Sequence, residues 1–471
     1  MQKNFSEYEG VIGLEVHCQL KTKTKLFCSC STQFGAHPNT NVCPVCLGLP
    51  GCLPVLNKRA VELAVITSIV LNCKINETSI FARKNYFYPD LPKAYQISQY
   101  DQPLAVDGSI DVLGEKIGVV RINLEEDAGK LVHKEGYSLV DFNRCGVPLV
   151  EIVSKPDIKS PDCAYQYLIS LKEVLQYAGI SDCNMEEGSL RVDANVSVRR
   201  IGEEMGVKVE VKNMNSFKWV ERALGYEIER QINILKEGGK ITQETRLWDE
   251  KKQKTFSMRG KEEAHDYRYF PEPDLLPLVI DKARTEELEN EIPELPSHKR
   301  KRFVEEYGIP EYDAGVLTSS KELARFFEEV LKDYKNPKAV SNWIMTEVLS
   351  IISPEKINEC KIKPNLLAKM LVMIEKGEIS GKIGKDVIIE IEKTGKDPEE
   401  IVKEKGLIQI KDEESLILAV DEVIRENQKA VEEYRSGKEK ALGFLIGALM
   451  RKTKGRANPE LANRIFKTRL A

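Results

Sequence analysis

Features that would identify several protein classes are missing from this 471-residue sequence. It contains no apolar run approaching the roughly 18 residues of a membrane-spanning helix, and its start, M-Q-K-N-F-S-E-Y-E, lacks a signal-peptide pattern. A net charge of −4 gives no overall attraction to nucleic acid, so any basic surface must be local. We therefore expect a cytoplasmic protein with no membrane partner, whose eleven cysteines stay reduced.

Common nucleotide-binding and amide-hydrolysing motifs are also missing. There is no G-x-x-x-x-G-K-[ST] phosphate loop; the nearest segment, Gly377 to Lys382, lacks the final Ser or Thr and the spacing. We find no Rossmann G-x-G-x-x-G, no G-x-S-x-G elbow, no Ser-rich amidase loop and no N-terminal Cys nucleophile. If this protein uses ATP, it must hold the nucleotide through metals, and nothing in it would release ammonia from glutamine.

Three segments alternate polar and apolar residues with a period of two, which is the pattern of a β-strand. They span residues 13–20, 190–199 and 207–212. Their polar faces carry Glu15, His17 and Gln19, then Arg191, Asp193, Asn195, Ser197 and Arg199, then Lys208, Glu210 and Lys212. Solvated sheet faces usually carry Lys, Glu and Thr. This mixture of acids, bases and amides indicates a metal and phosphate site, and an ordinary solvated face is the alternative.

Further carboxylates lie in or beside other predicted strands. Glu151 interrupts an otherwise apolar run, and an unpaired carboxylate in a buried strand costs on the order of several kcal/mol. We favour a metal as its partner over a plain ion pair with a cation such as Arg144. Glu125, Glu126 and Asp127 crowd the end of another alternating strand, where the alternative is an acidic turn.

Four cysteines form a C-x-C…C-x-x-C array with twelve residues between the two pairs. They are Cys28, Cys30, Cys43 and Cys46. Two thiol pairs joined by a short loop can converge on the tetrahedral geometry of Zn²⁺, and four unrelated core cysteines are the alternative. Four thiolates would fill the coordination sphere, so the predicted zinc site is structural.

The sequence texture predicts three domains. Residues 1–293 mix strand patterns with a few helices, residues 294–405 show Glu- and Lys-rich helical periods, and residues 406–471 form a final helical unit. The last 37 residues, Arg435 to Ala471, hold ten Lys or Arg and two Glu. Such a one-signed run predicts a contact with a phosphate backbone, and a solvated helix face is the alternative.

Longer motifs resemble those of the B subunit of the aspartyl/glutamyl-tRNA amidotransferase, the GatB family. They are V-I-G-L-E-V-H at 11–17, R-K-N-Y-F-Y-P-D-L-P-K-A-Y-Q-I-S-Q at 83–99, E-E-D-A-G-K at 125–130, P-L-V-E-I-V-S-K-P-D at 148–157, M-E-E-G-S-L-R-V-D-A-N at 185–195 and D-Y-R-Y-F-P-E-P-D at 266–274. The resemblance covers essentially the whole chain. It implies an α+β architecture, in which an N-terminal antiparallel-sheet cradle resembling the glutamine synthetase catalytic fold precedes all-helical middle and tail domains.

The resemblance also implies a reaction. Members of the family use ATP and Mg²⁺ to phosphorylate the side-chain carboxylate of misacylated Glu-tRNA(Gln) or Asp-tRNA(Asn), and ammonia then displaces the phosphate. A glutaminase of the amidase family, the A subunit, supplies the ammonia, and a small C subunit ties the complex together. The cysteine array resembles the zinc-containing branch. The alternatives are a zinc-containing tRNA-binding module without catalysis and a free-standing ligase for a small carboxylic acid.

Individual roles follow from the same resemblance. The metal and phosphate site is implied to include Glu15, His17, Glu151 and Glu210, with Asp193 as a further acidic candidate. The resemblance favours Glu126 as another ligand, whereas strand parity favours Glu125. Phosphate partners, which would neutralise the charge of an acyl-phosphate transition state, are Arg191, Lys208 and Lys212. The residues expected to bind tRNA are Arg451, Lys452, Lys454 and Arg456.

Overall fold

The structure is a computed structural model that describes residues 7–258, 267–407, 413–453 and 456–470. The chain forms two compact units, Met1–Leu295 and Pro296–Ala471. The described residues of the first unit contain sheets and helices, whereas those of the second are helical, which confirms the predicted α+β content. In the described ranges no helix combines the length and the apolar character needed to cross a membrane.

The strands belong to the first unit, and nine of those in its described residues form one large sheet in the order β14-β13-β12-β11-β1-β10-β7-β6-β2. The strand bounds are β1 Tyr8–Gln19, β2 Lys74–Ile75, β3 Thr78–Ser79, β4 Phe81–Asn85, β5 Tyr95–Gln99, β6 Ala105–Val112, β7 Glu115–Glu126, β8 Lys130–Lys134, β9 Tyr137–Asp141, β10 Pro148–Ser154, β11 Leu190–Arg200, β12 Val209–Lys212, β13 Thr245–Asp249, β14 Lys254–Ser257, β15 Phe270–Pro271 and β16 Leu278–Val279. The three polar segments are thus β1, β11 and β12, of which β12 begins two residues later than predicted.

Helices cover one face of the large sheet. The helices of the first unit are α1 Lys58–Val70, α2 Pro161–Tyr177, α3 Phe217–Lys236 and α4 Lys282–Glu291. Side chains of Asn57, Ser160 and Ser216 accept backbone N–H bonds at the starts of the first three, which is why these helices begin there. Apolar residues of β1, such as Leu14 and Val16, share a core with the helices, so the opposite, polar face stays open.

One pair of strands departs from the expected antiparallel sheet. Every neighbouring pair in the large sheet is antiparallel except β12 and β13, which run parallel. Helix α3 lies between these two strands in the chain. A helix returns the chain to the same end of the sheet, so the next strand can run in the same direction. The predicted antiparallel sheet thus includes one parallel pair.

A small sheet, β15-β4-β5, packs over the end of β7. Gln96 Nε2 donates to the Glu126 carbonyl oxygen at 2.7 Å, and Ser98 Oγ donates to Glu125 Oε2 at 2.8 Å. These bonds join one face of β5 to the acidic end of β7. Further two-stranded sheets pair β16 with β3 and β8 with β9.

The second unit contains two separate apolar cores. Its helices are α5 Pro296–Tyr307, α6 Glu311–Leu317, α7 Lys321–Asp333, α8 Pro337–Trp343, α9 Leu349–Ile351, α10 Pro364–Glu375, α11 Gly381–Thr394, α12 Pro398–Glu404, α13 Glu413–Glu426, α14 Gln428–Arg435, α15 Lys440–Lys452 and α16 Pro459–Leu470, with a π-helical turn at Ile344–Val348 and a 3₁₀ turn at Pro354–Glu359. Residues of α5 to α12 build one core, and residues of α13 to α16 build the other.

The cap of α1 gives a prediction about stability. The Asn57 side chain accepts from the backbone N–H groups of Arg59 and Ala60, and its Nδ2 donates to the carbonyls of Thr24 and Lys25. We expect Asn57→Ala to lower the free energy of unfolding by about 1–2 kcal/mol, because a cap and its donors are lost together. Asn57→Asp keeps the acceptor oxygen, so its free energy of unfolding should lie between those of wild type and Asn57→Ala. Denaturant unfolding followed by circular dichroism measures this, and an unchanged midpoint for Asn57→Ala would contradict it.

Candidate active site

The register of the large sheet gathers polar side chains from five adjacent strands on its open face. His17 of β1 is paired with Glu151 of β10 on one side and with Arg191 of β11 on the other. Glu15 is paired with Asp193, and the β10–β7 register pairs Glu151 with Asn123. Directly paired residues lie on the same face of a sheet. The alternating pattern of each strand therefore becomes one continuous polar surface.

A compact acidic cluster surrounds His17. Its Nε2 atom lies 3.4 Å from Glu125 Oε1, 3.5 Å from Glu15 Oε1 and 3.9 Å from Glu151 Oε1. Ligand atoms of Glu15, His17 and Glu151 all lie within 4.8 Å of one another. Several carboxylate oxygens and one imidazole nitrogen at this spacing form a donor set that suits a hard divalent cation. The residues present therefore fit a metal ion.

Neutral hydrogen-bond donors orient two of these carboxylates. Asn123 Nδ2 donates to Glu151 Oε2 at 2.7 Å, and Ser98 Oγ donates to the second oxygen of Glu125. Such outer partners hold metal ligands in place. Sequence reasoning did not select either residue. The signal for Asn123 was its position two residues before Glu125, which places both on the same strand face, but Ser98 belongs to a different sheet.

Crowding changes the protonation of the cluster. Burial and the nearby Glu151 carboxylate raise the pKa of Glu15 to about 8. Burial and Glu151 also raise the pKa of Glu125 to about 8. Burial lowers the pKa of His17, so its imidazole is neutral and keeps a lone pair for coordination. These groups repel one another as anions, and a divalent cation would relieve that repulsion.

Glu126 points away from this cluster. Its side chain forms an ion pair with Lys93 and accepts the Ile97 N–H at 3.0 Å. It lines a small cavity of about 150 Å³ that also reaches Lys25 and Cys46. Consecutive strand residues point to opposite faces, so the structure brings Glu125 to His17 and leaves Glu126 on the other side. This placement agrees with strand parity and differs from the expectation based on the resemblance.

The cation expected to bind phosphate beside His17 is already paired. Arg191 donates from Nη1 to Asp127 Oδ2 at 3.1 Å and from Nη2 to Asp127 Oδ1 at 2.9 Å. Gln19 Nε2 donates to the same carboxylate at 2.7 Å, and Arg144 Nε lies 3.7 Å from it. Asp127 is buried, so these contacts compensate its charge. Arg191 therefore neutralises and positions the buried Asp127 carboxylate, a role that its sequence position alone did not reveal.

The remaining strand candidates are Asp193, which lies on β11 beside Glu15, and Glu210 and Lys212, which lie on the next strand, β12. Lys212 Nζ lies 2.8 Å from Asp193 Oδ2 and 3.0 Å from Glu210 Oε1. Thr245 Oγ1 donates to Glu210 Oε2 at 2.7 Å. Lys208 precedes β12 and is exposed, so it does not share the strand face. The structure thus brings Asp193, Glu210 and Lys212 together as a neighbouring group and does not place Lys208 with them.

A larger cavity opens beside Arg191 and Asp193 of β11. Its volume is about 880 Å³, and its lining includes Arg191, Asp193, Glu186, Phe34 and Trp219. Charged and aromatic side chains thus share one concave surface next to the acidic cluster. A volume of this order accommodates a drug-sized or larger ligand.

The cysteine array forms a second metal-compatible group. The Sγ atoms of Cys28, Cys30, Cys43 and Cys46 lie within 4.8 Å of one another. Cys46 Sγ accepts the Cys43 N–H at 3.2 Å and the buried Lys25 ammonium at 3.5 Å. A hydrogen bond from Cys28 lowers the pKa of Cys46 to about 4. Burial alone would raise this pKa, whereas the nearby Lys25 charge lowers it further. Four thiol ligands with donors aimed at a thiolate fit a Zn²⁺ ion.

The basic residues of the tail have varied surroundings. Arg451 stacks over the Phe444 ring, with 5.8 Å between the guanidinium carbon and the ring centroid. Lys452 forms ion pairs with Glu422 and Glu426, and Arg456 Nε donates to the Thr453 carbonyl at 3.2 Å. Lys454 lies outside the described residues.

Comparison with known proteins agrees with this arrangement. Residues 10–286 match the family model described as the GatB/GatE catalytic domain, and residues 325–470 match the model of the GatB domain. The first range contains the polar sheet face and the cysteine group. The chain is thus a catalytic component of the amidotransferase class.

Curated relatives match over nearly the full length. The aspartyl/glutamyl-tRNA(Asn/Gln) amidotransferase B subunit of Carboxydothermus hydrogenoformans is 60% identical, with 99% of each chain covered. The same protein of Thermoanaerobacter pseudethanolicus is 57% identical over 99% of this chain and 100% of the relative, and that of Thermodesulfovibrio yellowstonii is 56% identical over 98% of each. The chain belongs to the family of aspartyl/glutamyl-tRNA(Asn/Gln) amidotransferase B subunits, which confirms the predicted family.

The raised carboxyl pKa values predict how metal binding depends on pH. Glu15 and Glu125, with pKa values of about 8, carry protons at neutral pH that a divalent cation must displace. We expect the affinity for Mg²⁺ to rise between pH 6.5 and 8.5, because deprotonation then no longer opposes binding. Calorimetric titration in buffers of different ionisation enthalpy measures both the affinity and the protons released. An affinity that does not change with pH would contradict this prediction.

The thiol group predicts a separate response to mutation. If the four cysteines hold Zn²⁺, as their spacing predicts, we expect Cys43→Ser to release the ion and to lower the thermal unfolding midpoint, because one of the four thiol ligands is lost. Cys163→Ser, at a half-buried cysteine outside the group, serves as the matched control and should keep the metal. Elemental analysis and thermal unfolding make the measurement. A wild-type protein that contains no zinc would refute the assignment.

Proposed function

We propose that this chain is the component that activates the amino acid of a misacylated tRNA. It uses ATP to phosphorylate the side-chain carboxylate of Glu-tRNA(Gln), Asp-tRNA(Asn) or both, and ammonia then converts the acyl phosphate to Gln-tRNA(Gln) or Asn-tRNA(Asn). The observation that carries the proposal is the cluster of Glu15, His17, Glu125 and Glu151 on an open sheet face. The names of the relatives cover both pairs of amino acids.

The cluster residues would hold Mg²⁺. When bound, the ion supplies positive charge that the phosphates of ATP require during transfer. Glu15, Glu125 and Glu151 would provide oxygen ligands, and the neutral His17 would provide Nε2. Metal-binding carboxylates on one face of largely antiparallel strands also support the proposed relationship to the glutamine synthetase catalytic fold.

The proposed reaction has two balanced steps. An oxygen of the substrate carboxylate forms a bond to the γ-phosphorus, the bond from that phosphorus to the β–γ bridging oxygen breaks, and ADP leaves. Ammonia then bonds to the acyl carbon, loses a proton, and inorganic phosphate leaves to give the amide. The sequence has no motif that would hydrolyse glutamine, which supports an ammonia-supplying glutaminase, the A subunit, as partner, together with a small C subunit.

Two further features support the binding of tRNA. The cavity of about 880 Å³ beside Arg191 is large enough for a terminal nucleotide that carries an amino acid. The basic run from Arg435 supports a contact of the tail domain, residues 406–471, with the phosphate backbone. Arg451 and Arg456 are then better placed than Lys452, whose ammonium is already paired with two glutamates.

The remaining elements have supporting roles in this proposal. The four cysteines would hold a structural Zn²⁺, because a closed tetrahedral set leaves no position for substrate. Residues 1–293 form the catalytic cradle with the zinc site at 28–46, and residues 294–405 form a helical domain before the tail. Since the substrate is tRNA, we place the activity in the cytoplasm.

The cluster can be tested separately from tRNA binding. We expect His17→Ala, assayed in the assembled amidotransferase, to abolish ATP-dependent phosphorylation of the aminoacyl group, while tRNA affinity stays within a few-fold of wild type. Formation of ADP in the presence of Glu-tRNA(Gln) or Asp-tRNA(Asn) and filter binding of tRNA make the two measurements. His133→Ala, at an exposed histidine of β8, is the control and should leave both unchanged. Normal acyl-phosphate formation by His17→Ala would remove His17 from the site.

A further inference from the structure

Lys84 belongs to the motif at 83–99 but was not among the site candidates selected from the sequence. It lies on β4 and is paired with Gln96 of β5, and the neighbouring pair on the same face is Ala82 with Ser98. Gln96 and Ser98 are the two residues that bond to the end of β7, through the Glu126 carbonyl and the Glu125 carboxylate. The face of β4 and β5 that carries Lys84 is therefore the face that packs against the acidic end of β7.

The ammonium of Lys84 lies within the field of the cluster. Its Nζ atom lies 4.8 Å from the centroid of the Tyr267 ring. Although burial disfavours its charge, Glu125, with smaller contributions that include Glu151, holds the pKa of Lys84 above its usual range, so the side chain is a cation at physiological pH. Its charge in turn favours ionisation of Glu15 and disfavours protonation of His17. One cation thus acts on every member of the cluster.

Lys84 differs from the other cations near the site. Arg191 is held by Asp127, Lys212 by Asp193 and Glu210, and Lys93 by Glu126. No hydrogen bond, and no ion pair within 4.0 Å, joins the Lys84 ammonium to any residue in the described part of the chain. An ammonium has three donors, and in this half-buried position they stay available to a ligand that enters from solvent.

We propose that Lys84 is a catalytic residue that donates hydrogen bonds to the γ-phosphate oxygens of ATP and to the acyl phosphate formed from it. This inference rests on the proposed function and deepens it. As the carboxylate oxygen bonds to the γ-phosphorus and the bond to the β–γ bridging oxygen breaks, charge remains on the transferring phosphoryl oxygens. Lys84 keeps its proton throughout and stabilises that charge, while the cluster on the sheet below holds the metal.

The position of Lys84 gives two effects of opposite sign. A fixed cation beside Glu125 and Glu151 repels a divalent cation, so removing its charge should strengthen metal binding. The same removal takes a donor away from the phosphoryl group, which costs about 10²–10³-fold in rate when one such electrostatic contact is lost. A residue that only supports the fold would weaken both functions together.

The test compares Lys84→Met with Lys84→Arg in the assembled amidotransferase. Lys84→Met keeps the length of the side chain and removes its charge, and Lys84→Arg keeps the charge with a different shape. Lys74→Met, at an exposed lysine of β2, is the matched control. Mg²⁺ affinity is measured by calorimetry without nucleotide, and phosphorylation by single-turnover ADP release with misacylated tRNA. Amidation is measured separately with ammonium chloride in place of glutamine.

We expect the Lys84→Met variant to bind Mg²⁺ at least as tightly as wild type and to phosphorylate about 10²-fold or more slowly. The Lys84→Arg variant should recover part of that rate. The proposal is overturned if Lys84→Met phosphorylates at a rate similar to that of wild type, even if amidation falls. It is also overturned if Lys84→Met loses Mg²⁺ binding and Lys84→Arg restores no rate. Failure of the wild-type complex to phosphorylate any aminoacyl-tRNA would instead refute the proposed function.

Discussion

The antiparallel pairing of β1 with β10 on one side and with β11 on the other is the interaction on which the candidate site depends. It places His17 opposite both Glu151 and Arg191, and it buries Leu14 and Val16 against the helices. A slip of one residue would exchange the two faces, moving the apolar side chains into water and the acids into the core. The hydrophobic core therefore maintains the geometry of the polar face.

That geometry crowds buried carboxylates that repel one another when they are ionised. Glu15, Glu125 and Glu151 lie around one neutral imidazole, and the pKa values of the first two rise to about 8 because the carboxylates are buried beside one another. Hydrogen bonds from Asn123 to Glu151 and from Ser98 to Glu125 hold these two carboxylates in place, so that they do not move apart. Functional sites commonly retain such repulsion because a ligand relieves it. Lys84 on one side and Arg191 with Asp127 on the other complete the charge arrangement around the cluster.

The two metal-compatible groups differ in their position and in their donor sets. The thiol group belongs to a loop between β1 and α1, where the Lys25 ammonium and the Cys43 N–H donate to Cys46, and it has the closed donor set of a structural site. The carboxylate group lies on the polar face of the large sheet, where Glu15 and His17 remain partly exposed. Glu126 faces the small cavity beside Cys46, whereas its neighbour Glu125 faces His17. Adjacent residues of β7 therefore contact the two different groups.

The sequence by itself determined the elements whose signals are local. Period-two alternation predicted the second part of β1, nearly all of β11 and the whole of β12. The C-x-C and C-x-x-C spacing predicted the thiol group, and strand parity favoured Glu125. Each of these signals depends on residues a few positions apart. Only the tertiary structure decided which charges are matched. Asp127 pairs with Arg191 and Lys84 faces Glu125, although these partners are far apart in the chain. The parallel β12–β13 pair was likewise set by the crossover of α3, because strand direction follows from the path of the chain and leaves no mark on side-chain periodicity.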